Sequence, residues 1–233
     1  MPSFKKAAGD RFLLGHKKIF KSDQTDTSSD DFRVENVLYG KPTNATRVLA
    51  YDSNIADISI LLEGIDSAVV LLPISSTDNP LEKIGLEIKN YSSVELSIIA
   101  HGSNNGITFA DHLITVETLE SFKNTFSRSN LHRTSLYSCF IGRNKKFINK
   151  LSQILNCEVL ASERLVGHSS LGASWTLNVS SVANTKEISN SIVPFSRQAL
   201  SQWNYSLVTV DADIISDYLT DTSAGAVSEV INV

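Results

Sequence analysis

Cysteine is scarce in this chain: Cys139 and Cys157 are the only two among 233 residues. Two thiols close at most one bridge, which excludes a disulfide framework. The five histidines, His16, His101, His112, His132 and His168, are scattered and lack metal-ligand spacing. No metal site and no cofactor is therefore expected. No apolar run approaches the roughly 20 residues that cross a bilayer. Met1 to Lys21 is basic but lacks the apolar stretch of a secretory signal. The expectation is a protein that is cytoplasmic, or exported by a route independent of a signal peptide. Positive charge is not in excess either, with a net charge of −4. No overall field draws the chain to nucleic acid, and its basic start carries no aromatic platform for bases. The turn Gly102-Ser103-Asn104-Asn105-Gly106 is not followed by Lys-Ser or Lys-Thr, which excludes a Walker-type phosphate loop.

What remains is ordinary globular composition, 42% hydrophobic, and a chain that divides into three. Residues 1–44 read as a polar and basic arm: Ser22 to Asp31 shows no apolar periodicity and offers little surface to offset the entropy of ordering. Residues 45–182 alternate strands and helices. Arg47–Tyr51, Ala68–Leu72, Val94–Ala100, Thr134–Cys139, Cys157–Ala161 and Trp175–Val179 read as strands. The run at Ala68–Leu72 suggests a strand covered on both faces. Between them, helices are expected after an Asp52-Ser53 cap, after Asp78-Asn79-Pro80, over Thr115–Phe126 and over Lys145–Leu155. Such alternation predicts an α/β fold, a mostly parallel six-stranded sheet with helices on both faces. Residues 183–233 read as a short helix within Ser196–Tyr205 and a flexible tail. From Ser206 onward the only charges are Asp211, Asp213, Asp217, Asp221 and Glu229.

Two strands end on reactive side chains. One runs Ser97-Ile98-Ile99-Ala100-His101-Gly102, the other Leu136-Tyr137-Ser138-Cys139. Ligands of open parallel sheets bind at the carboxyl ends of the strands. If these strands are neighbours, a thiol and an imidazole meet there as nucleophile and base. Residue types alone favour the plainer alternative, with Cys139 a small buried apolar group and His101 a loop residue bonded to a carbonyl. Cys157 reads as core.

Five phrases in order point further: Tyr51-Asp52-Ser53, Ile99-Ala100-His101-Gly102-Ser103, Leu136-Tyr137-Ser138-Cys139, Ala161-Ser162 and Leu171-Gly172-Ala173-Ser174-Trp175. Over Arg47 to Val179 the chain resembles the family called domain of unknown function 4347, usually found near the amino end of large bacterial surface or secreted proteins. That family in turn resembles caspase-like cysteine peptidases, which include gingipains, separase and the self-cleaving domains of toxins. The resemblance implies a caspase-like fold with His101 and Cys139 as the dyad. There are departures. Ser138 replaces the small residue before the cysteine, and Arg164 and Ser174 stand where the family tends to have acids.

The chemistry expected of such a dyad has defined parts. Cys139 needs exposure and some thiolate character, and His101 carries the proton to the leaving amine. The backbone N–H groups of Gly102 and Cys139 are the oxyanion donors. Ser138, Glu163, Arg164, His168 and Trp175 are the candidates for substrate binding. The partner is a peptide or protein substrate, the chain's own arms included. The alternatives are a non-catalytic binding or assembly module, and a transferase built on the same dyad.

Overall fold

The computed structural model describes residues 46–127, 129–182 and 193–208. The arm expected over 1–44 and the tail beyond Val208 lie outside the described residues. The elements are, in order, β1 (Thr46–Asp52), α1 (Ile58–Leu62), β2 (Val69–Ile74), α2 (Pro80–Ile88), β3 (Val94–Ile99), β4 (His101–Gly102), β5 (Ile107–Phe109), β6 (His112–Ile114), α3 (Val116–Glu120), β7 (Leu131–Tyr137), α4 (Lys145–Leu155), β8 (Glu158–Ala161), β9 (Val179–Ser180) and α5 (Arg197–Gln202). The main sheet has six strands in the order β2-β1-β3-β7-β8-β9. Its first five strands are parallel, and β9 pairs antiparallel with β8. A three-stranded antiparallel ladder, β4-β5-β6, stands beside it.

Alternation along the strands divides the core into two layers. Val48, Ala50, Leu96, Ile98 and Leu136 meet α2, α3 and α4 on one face. Leu49, Ile99, Tyr137 and Leu160 meet α1, α5 and the aromatic residues Trp175 and Trp203 on the other. The helices owe their starts to caps: Asn79 accepts from the Glu82 amide with Pro80 in the first turn, and Asn144 accepts from the Phe147 amide.

Several local expectations need correction. β2 is an edge strand and is not covered on both faces: Leu71 is 41% exposed, and Pro73 sits where no neighbouring strand asks for its missing N–H. An apolar run does not say whether a strand is central. Asp52 does not begin a helix. Its carboxylate accepts the amides of Asn54 and Ala110, both at 2.8 Å, tying the end of β1 to the β5–β6 turn, and α1 starts only at Ile58. The helix expected over Thr115–Phe126 stops at Glu120, where Ser121 Oγ turns back onto the Thr118 carbonyl at 2.7 Å. Trp175 and Leu177 are buried, but only Val179–Ser180 join the sheet. The carboxyl boundary also moves. Val193, Phe195, Ala199, Trp203 and Leu207 are buried in the second core layer, so the region expected to be helix and tail belongs in part to the domain.

Candidate functional site

β3 and β7 are adjacent and parallel, with Ile99 opposite Tyr137. His101 and Cys139 each lie two residues beyond that pair, so both leave the sheet at one level. Cys139 packs in the same core layer as Ile99 and Tyr137. The expected juxtaposition of the two loops is therefore present.

Their backbones touch. A Cβ built on Gly102 would lie 2.8 Å from the Cys139 carbonyl oxygen and 2.9 Å from its nitrogen. Only glycine permits that approach. Ser138, at the position where the resemblance has a smaller residue, is fully buried and donates its hydroxyl to the Ala100 carbonyl at 2.7 Å. It fastens the cysteine loop to the histidine loop.

After Cys139 the chain turns sharply. Phe140 is left-handed at φ 60°, which costs a residue other than glycine about 1–2 kcal/mol. The surroundings hold it there. Its amide donates to the Arg164 carbonyl at 3.1 Å, the Gly142 amide donates to Ser162 at 2.8 Å, and the Arg143 guanidinium lies 4.6 Å over the Phe140 ring.

The sulfur is not exposed, contrary to expectation. Cys139 is fully buried, and burial pushes its thiol up to about 12. The Val166 N–H, 3.1 Å from the sulfur, and the Leu207 N–H oppose that shift without overcoming it. At neutral pH the Cys139 side chain is therefore a protonated thiol.

The reason is a strand-like segment, Trp203 to Val208, that lies across the site. The Leu207 amide donates to the Val166 carbonyl, the His168 amide to Tyr205, and the Gly102 amide to the Leu207 carbonyl, each at 2.9 Å. Ser206 bridges antiparallel to Gly167, and Val208 bridges parallel to Gly102. His101 is half-buried, with Nδ1 3.2 Å from the Val208 carbonyl. A carbonyl only accepts, so Nδ1 carries the hydrogen and Nε2 is left as the basic nitrogen. Two side chains anchor the strap from below: Trp203 Nε1 donates to the Ala56 carbonyl at 2.8 Å, and the Tyr205 hydroxyl donates to Asp57 at 2.7 Å. Tyr137, Trp175, Trp203 and Tyr205 form a continuous aromatic chain, with Phe195 edge-on to Trp175.

The other predicted binding residues divide. His168 reaches the strap through its backbone, while its ring accepts from the Ser170 amide at 3.2 Å. Glu163 pairs with Lys145 at 2.8 Å. Arg164 supplies the carbonyl that holds Phe140. Trp175 is nine-tenths buried and packs between Tyr137 and Trp203; its Nε1 has no partner among the described residues. Among the described residues no cluster of His, Cys, Asp or Glu is placed to hold a metal, and no helix is long and apolar enough to cross a membrane.

Sequence reasoning missed Val166, Gly167 and Tyr205–Val208. A signal for the last was present: Trp203, Tyr205 and Leu207 alternate as a strand with one apolar face does. Gly167, at φ 149°, lets the strap pass, since a Cβ there would fall 2.4 Å from the Tyr205 carbonyl oxygen.

The fold is a mixed α/β domain that carries His101 and Cys139 on neighbouring loops at the carboxyl edge of a mostly parallel sheet. The chain belongs to the family described as domain of unknown function (DUF4347), whose model matches residues 48–207. The matched region includes Trp203 to Leu207 of the strap. No curated protein matches the chain.

Proposed function

We propose that this domain is a caspase-like cysteine endopeptidase or self-processing module. Cys139 is the nucleophile, His101 the base, and the Gly102 and Cys139 amides the oxyanion donors. The observation that carries this reading is the shared register of His101 and Cys139 beyond the Ile99–Tyr137 pair, with Gly102 in backbone contact with Cys139. A thiol held near 12 is ionised to only about one part in ten thousand at pH 8. Attack therefore uses His101 as a general base at the moment of bond formation, without a standing thiolate–imidazolium pair. A peptide carbonyl over the Gly102 amide is polarised by a donor that already faces it. Peptide or protein is the substrate class, and the family resemblance favours a bacterial secreted or surface protein as the setting.

The test is hydrolysis by the full chain, acting on itself and on added casein, followed by intact mass. Cys139→Ala and His101→Ala should each remove the fragments that the unaltered chain produces. Identical products from all three proteins sink the reading.

A second reading is favoured by one observation, the complete burial of Cys139. In it the domain binds or helps assemble a partner, and the thiol is packing. A chain that leaves itself and casein whole, with Cys139 unreactive even to small alkylating agents, fits that module.

A further inference from the structure

We infer that the strap is the substrate of its own site, and that the bond cut is Leu207–Val208. This rests on the peptidase reading above and deepens it by naming the bond and the side chain selected.

Three contacts place that peptide. The Leu207 carbonyl accepts from the Gly102 amide at 2.9 Å, so the acceptor already lies on the donor assigned to the oxyanion. The Leu207 amide donates to Val166 at 2.9 Å and also lies against the Cys139 sulfur. On the far side of the bond, His101 Nδ1 is 3.2 Å from the Val208 carbonyl, so the imidazole borders the residue that would leave as an amine. The antiparallel bridge of Ser206 to Gly167, with Tyr205 on the His168 amide, fixes the preceding residues as extended chain on a loop edge. This is how a peptide substrate is held by strand addition.

The chemistry balances within these groups. Cys139 Sγ forms a bond to the Leu207 carbonyl carbon while His101 takes the thiol proton. The Leu207–Val208 C–N bond then breaks, and the proton passes from His101 to the Val208 nitrogen. Water, deprotonated by His101, attacks the thioester, freeing a Leu207 carboxylate and restoring the thiol. The reaction needs no reactant other than water. Holding both partners in one chain supplies an effective concentration of up to about 10⁵–10⁸ M.

Specificity follows from burial. The Leu207 side chain is fully buried in the layer that contains Val166, Trp175 and Trp203. An apolar residue before the cut is selected, in keeping with Arg164 and Ser174 standing where the resemblance has acids.

The experiment is a time course of the full chain by intact mass, starting from freshly refolded protein. The expected products are residues 1–207 and residues 208–233, absent in Cys139→Ala. Val208→Pro leaves the buried side chains in place but replaces the leaving amine with a proline nitrogen; its rate at this bond should fall at least 100-fold. Leu207→Asp should also block the cut, while Leu207→Met should keep it. Cys139-dependent cleavage of casein, or of another bond in the chain, with Leu207–Val208 left whole overturns this inference and leaves the peptidase reading standing. A chain that cuts neither itself nor casein overturns both.

Discussion

The backbone amide of Gly102 donates a hydrogen bond to the carbonyl of Leu207 at 2.9 Å, joining the strand end beside His101 to a fully buried residue of the strap. In the proposed reaction the same amide is the oxyanion donor.

Gly102→Ala tests that junction. The added methyl would stand 2.7 Å from Ser138 Cβ and within 2.9 Å of the Cys139 backbone, so the two loops must part. Unfolding in urea should show a loss of about 1–3 kcal/mol. Processing should fall further than stability does, because the oxyanion donor moves with the loop.

Trp203→Ala tests the strap as core. Trp203 is fully buried, stacks on Trp175 and Tyr205, and donates to Ala56. The expected cost is about 3–5 kcal/mol by chemical denaturation. Alkylation of Cys139 by iodoacetamide, slow in the intact protein, should quicken at least tenfold, as read by peptide mapping. An unchanged rate would mean that the strap does not shield the thiol.

Cys139 sets an alkaline limb. Its thiol titrates near 9 when solvated and near 12 in the fold, because burial disfavours the anion. Between those values the unfolded chain holds fewer protons than the folded one, so stability falls as pH rises. The slope from this group approaches about 1.4 kcal/mol per pH unit. Below pH 9 it contributes no pH dependence. Cys139→Ala should flatten the denaturation midpoint between pH 9 and 11.

Asp78 sets an acid limb of opposite sign. Lys83 at 2.8 Å, then the Ser75 amide and hydroxyl, hold its carboxyl well below the usual carboxylate range. The unfolded chain takes up this proton first, so the contribution is present above about pH 4 and is lost on acidification. Asp78→Asn should lower the midpoint at pH 6, and lower it by progressively less as the pH falls below about 4.

Alternating apolar patterns carried the layered α/β architecture, and the strand ends at His101 and Cys139 carried the juxtaposition of the two loops. Both signals are local in sequence. The misses share a cause as well. At Ala68–Leu72 the apolar run is the same whether a strand is central or at the rim, and only pairing decides. At Asp52 and Ser121 a polar side chain found a backbone partner that composition does not name. The strap escaped notice because backbone amides and carbonyls do most of its binding, at Gly102, Val166 and His168. Every residue except proline carries those groups, so they leave no trace in side-chain identity. The exposure expected for Cys139 failed with it, because the cover comes from residues far along the chain.

The strap also has a mechanical meaning. Val208, the last described residue, sits against the histidine loop at the rim of the sheet, and the chain continues from it to residue 233. A pull on those later residues would load the Val208–His101 contact first, then the Leu207 bonds to Gly102 and Val166, and only afterwards the aromatic anchor at Trp203. Tension along the polypeptide would thus be felt at the thiol before any helix or strand of the main sheet gives way.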